Sequence, residues 1–469
     1  MRTHPYTFLA IAVAALAARL CHVDILWVEE AYPIAAAREM LAGKLLYRDI
    51  WFDKPPLFPA FYLLWGALAG WPLRLAGALF TVLCSWTAWL AARRIWSERE
   101  ALIAAVLMAF FLIFGIPAAV MALTPDLLMI PFHLLAIAAA ASGQPLLAGV
   151  IAGTAVWLNG KALFVLAACA IWQWRRLPAL TAGFLLPNAI GAAWLYLNGS
   201  LDDYWLQVWQ WGAAYSRAVP FQDVFSEGAR RTLNWAGFHA AALLAAIWAL
   251  RPNEPRRLRL AGWFLISLAA VWLGGRFFPR YFFHLLPVVA VVSARGFALL
   301  PKRHAAALAL LLLIPMARFG PRYAVLASDL AAHRPHQWQD LALDQDSRAA
   351  ANLLRQHAKP GETLLVWGYR PELYPLSGLR AGTRFLDSQP LNGVLADRHL
   401  RDSAPTFPAL AAENREALYA SNPPVWIADG LGPLNPALAV FATSGLAPWG
   451  DHYKRIAETR FFILYRLKP

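Results

Sequence analysis

The chain has 469 residues, of which 59% are hydrophobic and only 15% charged, against about 25% charged in soluble globular chains. With a net charge of +14 and apolar residues gathered in long blocks, the composition excludes an ordinary soluble enzyme and indicates a polytopic membrane protein. The basic excess is local: residues 1–319 hold 26 Lys+Arg against 14 Asp+Glu, whereas 320–469 hold 16 against 14, so it follows the membrane half and argues for retained cytoplasmic loops rather than nucleic acid binding.

The first apolar block, 6–23, follows Arg2 and is read as an uncleaved span, not a signal peptide, because many more blocks follow. Next comes a polar stretch, 24–56. Glu29 and Glu30 precede Pro33 and an Ala-rich run that ends at Gly43, the start and stop signals of a short helix over 31–42. Two acids at a helix N-terminus suit the macrodipole. Near a membrane they also suit a general base or a divalent-cation ligand. Asp49, Asp53 and Lys54 form a second polar knot before Pro55-Pro56. Lys54 would meet a phosphate as a point charge.

Further blocks lie at about 57–71, 73–92, 101–117, 127–141, 146–160, 162–174, 179–197, 235–250, 260–275, 279–294 and 304–317. Arg93-Arg94, Arg175-Arg176, Arg251 with Arg256-Arg257-Arg259, and Lys302-Arg303 mark cytoplasmic loops. With the N-terminus inside, these assignments agree only if 57–71 does not cross. It is read as an interfacial or re-entrant helix, which leaves 11 crossings. The loops at 24–56, 118–126, 159–161, 198–234 and 274–280 then all face outward.

Those loops hold the remaining polar candidates. Asp126, in a Thr-Pro-Asp run, either caps the next helix or serves chemistry. Lys161 follows Asn159-Gly160, where snorkelling is the plain account. The run 274–287 sets Arg276, Arg280, Tyr281 and His284 at an outer mouth, where arginines suit a lipid-linked phosphate; His284 is read as a structural hydrogen-bonding group.

Residues 320–469 have a soluble character. Helices are expected at 347–358 and 407–420, strands at 363–368 and 424–428, and a closing hairpin at 453–458 and 461–466. Together they describe a small α/β domain with a mixed sheet. The fold class is thus an α-helical polytopic membrane protein (1–319) with a C-terminal periplasmic α/β domain (320–469). The three cysteines, Cys21, Cys84 and Cys169, all lie in apolar segments and build no disulfide framework. No Walker loop, GxSxG or dinucleotide fingerprint is present.

The run from Glu29-Glu30-Ala-Tyr through Ala-Arg-Glu-Met-Leu-Ala-Gly to Asp53-Lys54-Pro-Pro-Leu resembles the first outer loop of GT-C fold glycosyltransferases. It is most similar to the bacterial branch related to protein O-mannosyltransferases and the aminoarabinose transferase of lipid A. Asp126, Lys161 and the Gly-Gly-Arg-Phe-Phe-Pro-Arg-Tyr run match that branch in order and spacing. The resemblance implies a polyprenyl-phosphate sugar donor, a hydroxyl acceptor on a lipid, glycan or protein, and a catalytic cavity at the outer face of a bacterial inner membrane. It places Glu29 at the family's catalytic aspartate, Glu30 at the glutamate that follows, Asp126 at the second acidic position, and Lys54 in the Lys-Pro-Pro-Leu element. Lys161, Arg276, Arg280 and Tyr281 join Lys54 as expected donor-phosphate groups. Glu29 departs from the family's usual Asp by one methylene. Two rivals are a non-catalytic lipid-linked sugar transporter or partner subunit, and an O-antigen ligase or polymerase resting on Arg217, Arg230 and Arg231.

Overall fold

The computed structural model describes residues 5–336, 338–443 and 445–469; Arg2 lies outside them. The helices run, in order, α1 Pro5–Leu20, α2 Val28–Leu41, α3 Leu57–Tyr62, α4 Trp71–Ile95, α5 Glu98–Ile113, α6 Pro117–Val120, α7 Pro125–Ala141, α8 Pro145–Val156, α9 Ala162–Trp172 and α10 Leu177–Leu197. There follow α11 Leu201–Tyr204, a π turn at Trp205–Gln210, α12 Trp211–Arg217, α13 Val224–Phe238, α14 Ala240–Ala249, α15 Arg257–Trp272, α16 Leu286–Leu299, α17 Lys302–Ala309 and α18 Leu313–Ala331. Among the described residues, three helices are long and apolar enough to cross a membrane: Trp71–Ile95, Trp174–Leu197 and Lys302–Ala331. Helices α13 and α14 make a further candidate, bent by 89° at their break, and five shorter apolar helices pack among them.

The helix within the 57–71 block is short. Helix α3 has six residues and is followed by a three-residue 3-10 turn at Leu63–Trp65. At about 1.5 Å per residue it rises about 9 Å, far less than a bilayer core of about 30 Å. Pro55-Pro56 starts it, and the left-handed turn at Gly66 and Ala67 ends it.

Loops assigned to one side meet one another. At one end, Arg295 reaches Glu100 at 2.6 Å and Glu254 at 3.6 Å, and Arg176 donates to the Gly143 carbonyl. At the other end, α2, the 49–56 loop, α6, the start of α7 and the 274–284 loop converge beneath the C-terminal region.

That region contains α19 Ala342–His357, β1 Thr363–Trp367, α20 Leu373–Ser377, β2 Arg380–Ala381, α21 Gln389–Asn392, α22 Pro408–Tyr419, β3 Trp426–Asp429, β4 Tyr453–Glu458 and β5 Ile463–Leu467. The sheet order is β2-β1-β3-β5-β4. Strand β1 is parallel to β2 and β3, whereas β5 is antiparallel to both β3 and β4. The run Leu364–Trp367 is fully buried, as expected for a central strand covered on both faces. Helix α18 continues past 319 to Ala331, so the expected boundary falls within a helix rather than in a linker.

Candidate active site

Helix α2 begins where Trp27 turns out of extended backbone, and both acids occupy its first turn. One residue of offset on a helix turns a side chain by about 100°, which gives the two neighbours different surroundings. Glu30 points inward. Arg74 grips both its oxygens at 3.0 and 2.8 Å, the Leu123 amide donates at 3.3 Å, and neither side chain of the pair is exposed. Glu29 points into a cavity of about 340 Å³, where its Oε1 accepts from Arg280 Nη1 at 2.7 Å.

Asp53 and Lys54 line the same cavity, with Lys54 Nζ 2.6 Å from the Asp53 carboxylate. Tyr47 fixes this loop by donating to the Lys54 carbonyl at 2.8 Å, and Gln207 accepts from the Phe52 amide at 2.9 Å. Tyr47 sits at φ +71°, a left-handed conformation that non-glycine residues rarely hold. The loop's Lys54 therefore stands on a rigid support.

Asp126 lies in the first turn of α7. Its Oδ1 takes a hydrogen bond from Asn159 Nδ2 at 2.9 Å and stands 3.1 Å from His284 Nε2. The N-cap is Thr124, whose hydroxyl accepts from Leu127 N, so the capping role read for Asp126 belongs to its neighbour. Pro125 occupies the first helical position and, with no N–H of its own, suits it. Lys161 Nζ stands 3.5 Å from the centre of the Tyr281 ring and has no hydrogen-bond partner among the described residues.

Arg276 does not line the cavity. Its side chain is 1% exposed; it pairs with Asp397, donates to the Tyr215 and Ala218 carbonyls, and stacks 3.6 Å above Tyr215. Those partners link the 274–284 loop to the C-terminal region.

The sequence reading missed Tyr215 of α12 and, in the C-terminal region, Tyr369, Gln389, Ala396 and Asp397. The available signal was positional, since Tyr369 follows the carboxyl end of parallel strand β1, the edge where α/β sheets place ligands. A second, apolar cavity of about 260 Å³ adjoins the first and shares Ile116, Ala119 and Pro279 with it; Phe111, Phe114, Trp235 and Phe282 line its depth. Arg230 and Arg231 reach it too, but both are bonded to Glu227 on their own helix. No group of three or more His, Cys, Asp or Glu side chains converges as a cation site among the described residues.

The family model for dolichyl-phosphate-mannose-protein mannosyltransferase matches residues 53–193. No curated protein matches the chain by sequence. Among solved structures, ArnT from Cupriavidus metallidurans bound to undecaprenyl phosphate superposes with a TM-score of 0.61 at 15% identity, covering 98% of this chain and 97% of that one. Its apo form gives 0.60 at 16%, covering 98% and 96%. The apo oligosaccharyltransferase of Archaeoglobus fulgidus gives 0.53 at 13%, covering 96% of this chain and 72% of the other. At such identities the superposition establishes architecture, and with the family match and the apolar helices it identifies this chain as a membrane protein with the GT-C glycosyltransferase fold.

Proposed function

We propose that the chain is a glycosyltransferase that moves a sugar from a polyprenyl-phosphate carrier to a hydroxyl acceptor at the outer face of a bacterial inner membrane. The observation that carries this reading is the joining of two cavities. One holds two cations, Lys54 and Arg280, among three carboxylates, Glu29, Asp53 and Asp397; the other is apolar and opens beside it. A lipid phosphate needs both. The match to a dolichyl-phosphate-mannose enzyme family and the undecaprenyl phosphate bound to the ArnT neighbour support the same donor class.

The reaction is an inverting displacement. The acceptor oxygen attacks the sugar C1, the bond from C1 to the phosphate oxygen breaks, and the polyprenyl phosphate departs. Glu29 takes the acceptor proton, which general base catalysis makes worth about 10²–10⁴-fold. Lys54 and Arg280 offset the charge growing on the departing phosphate; Lys161 and Tyr281 stand behind them. Glu30, locked by Arg74, holds the turn that aims Glu29. Asp126, oriented by His284 and Asn159, would help bind the acceptor or a cation. The reading includes 11 crossings with α3 on the outer surface, a membrane catalytic domain over 1–319, and a periplasmic domain over 320–469 that covers the cavity.

The rivals are less favoured. A transporter needs ionisable groups along a path through the bilayer, whereas these groups gather at one end. A ligase centred on Arg230 and Arg231 would have to free both from Glu227.

The test is transfer of radiolabelled sugar from lipid-linked donor in reconstituted membranes. Glu29→Gln should reduce transfer by about 10²-fold or more with donor binding retained. Lys54→Met should raise the donor KM. Undiminished transfer by Glu29→Gln removes Glu29 from the mechanism.

A further inference from the structure

The far end of α2 carries a second polar cluster that the proposed reaction does not use. Arg38 lies nine residues beyond Glu29, about 13 Å along the helix. It lines an open groove of about 580 Å³ together with Leu41, Leu68, Pro375 and Arg380. Its surroundings are strongly basic. Glu39, the one carboxylate nearby, is already taken: Arg380 holds it bidentately at 2.8 Å, Lys44 sits at 2.8 Å, and the Ala381 amide donates at 3.1 Å. Arg38 has only the Pro375 carbonyl, at 3.4 Å, and among the described residues no carboxylate pairs with it. Burial pulls its guanidinium below the usual range; Glu39 opposes that shift and Arg380 adds to it. Two cations, Arg38 and Arg380, line the groove, and the one anion beside them, Glu39, is shared with Lys44.

The groove's rim is apolar and uncovered. Leu41 and Leu68, which line it, are 60% and 57% exposed, and Leu64 and Trp71, flanking its 66–69 segment in sequence, are 77% and 65% exposed. A Trp beside leucines at the end of a spanning helix is the pattern of a membrane–water interface. A soluble anion would gain nothing from these side chains, whereas a lipid would bring a headgroup to the arginines and an acyl chain to the leucines.

We propose that this groove binds one anionic glycerophospholipid of the outer leaflet, with its phosphate on Arg38 and Arg380 and one acyl chain along Leu41 and Leu68. The site is separate from the cavity around Glu29 and does not depend on what that cavity does. It would tie the α2–α20 junction, and with it the covering domain, to the bilayer surface.

Native mass spectrometry of the full-length protein in detergent tests this directly, with phosphatidylglycerol and phosphatidylcholine titrated separately. The wild type should retain one phosphatidylglycerol in preference to phosphatidylcholine. Arg38→Gln should lose ~5-fold in that preference, the weight of one basic side chain at an anionic surface. Leu68→Gln, at an exposed position that cannot unfold the chain, should weaken both lipids. Equal retention of the two lipids by the wild type overturns the proposal, as does an unchanged preference in Arg38→Gln. Competition by inorganic phosphate as effective as by the lipid would assign the groove to a soluble anion and overturn it as well. If Arg38→Gln misfolds, the Leu68→Gln result decides alone, and no loss of lipid there refutes the site.

Discussion

Two adjacent glutamates divide the labour of the site. Glu29 faces the cavity and Arg280, and Glu30 faces Arg74 in a fully buried pair. A buried ion pair adds little net stability, but removing one partner strands a charge, at about 3–5 kcal/mol. Arg74 also donates to the His22 and Ile25 carbonyls at 3.1 and 2.7 Å, so its loss frees the chain leading into α2. Arg74→Met should therefore lower the thermal midpoint markedly. Adding Glu30→Gln should recover part of the loss, a coupling that a double-mutant cycle in thermal unfolding would read. In transfer assays, Glu30→Gln alone should lower kcat more than it raises KM, because it disturbs the aim of Glu29 and not the donor contacts. The sequence showed both acids as candidates but could not rank them, since the partner that silences Glu30 stands 44 residues away. The partner of Arg276 was hidden for the same reason: Asp397 stands 121 residues away.

At the scale of elements, glycines set how closely the helices approach. A Cβ on Gly296 of α16 would lie 1.8 Å from the Ala245 carbonyl of α14, and one on Gly183 of α10 would lie 2.1 Å from the Leu146 carbonyl of α8. Helices in a bilayer associate through such small-residue contacts, because burial from lipid gains little. Gly296→Ala must push two backbones apart and should cost about 1–3 kcal/mol or more. Gly212→Ala, with nothing within 4 Å, should stabilise by up to about 1 kcal/mol, which makes it the control in the same melting experiment. Periodicity and turn residues placed the C-terminal elements well: the expected strand at 363–368 is Thr363–Trp367, and the expected helix at 407–420 is Pro408–Tyr419. The membrane blocks were located but not shaped. The block at 235–250 belongs to two helices meeting at His239, whose ring stacks 4.0 Å from Trp235. The block at 279–294 opens with a 3-10 turn through the site residues Arg280 and Tyr281. Hydropathy counts apolar residues and does not see where a helix breaks.

At the scale of the molecule, the C-terminal region both fastens to the membrane half and completes the cavity. Arg380 with Glu39, Arg384 with Asp203, and the Leu26 amide with Asp344 pin it at separate points. Asp387 is the exception among the buried acids at this junction. It is 3% exposed and, among the described residues, accepts only from Gln389, at 2.8 and 3.3 Å. Burial pushes its carboxyl up to about 7, the charge of Asp53 adds to the rise, and Lys54 partly offsets it. An acid whose folded pKa lies above its unfolded value of about 3.9 weakens the fold as pH rises. The unfolded chain gives up its proton near pH 4, while the folded chain holds it to about pH 7, so stability falls across that window and is level above it. About three units correspond to at most about 4 kcal/mol. Asp387→Asn should abolish that slope and raise the melting temperature at pH 8 while leaving it nearly unchanged at pH 4. The same ionisation would place a second negative charge near the Asp53–Lys54 pair. If Lys54 meets the donor phosphate, the wild-type donor KM should then rise between pH 6 and pH 8, and in Asp387→Asn it should stay flat. A KM that rises equally in both proteins would separate Asp387 from the donor site.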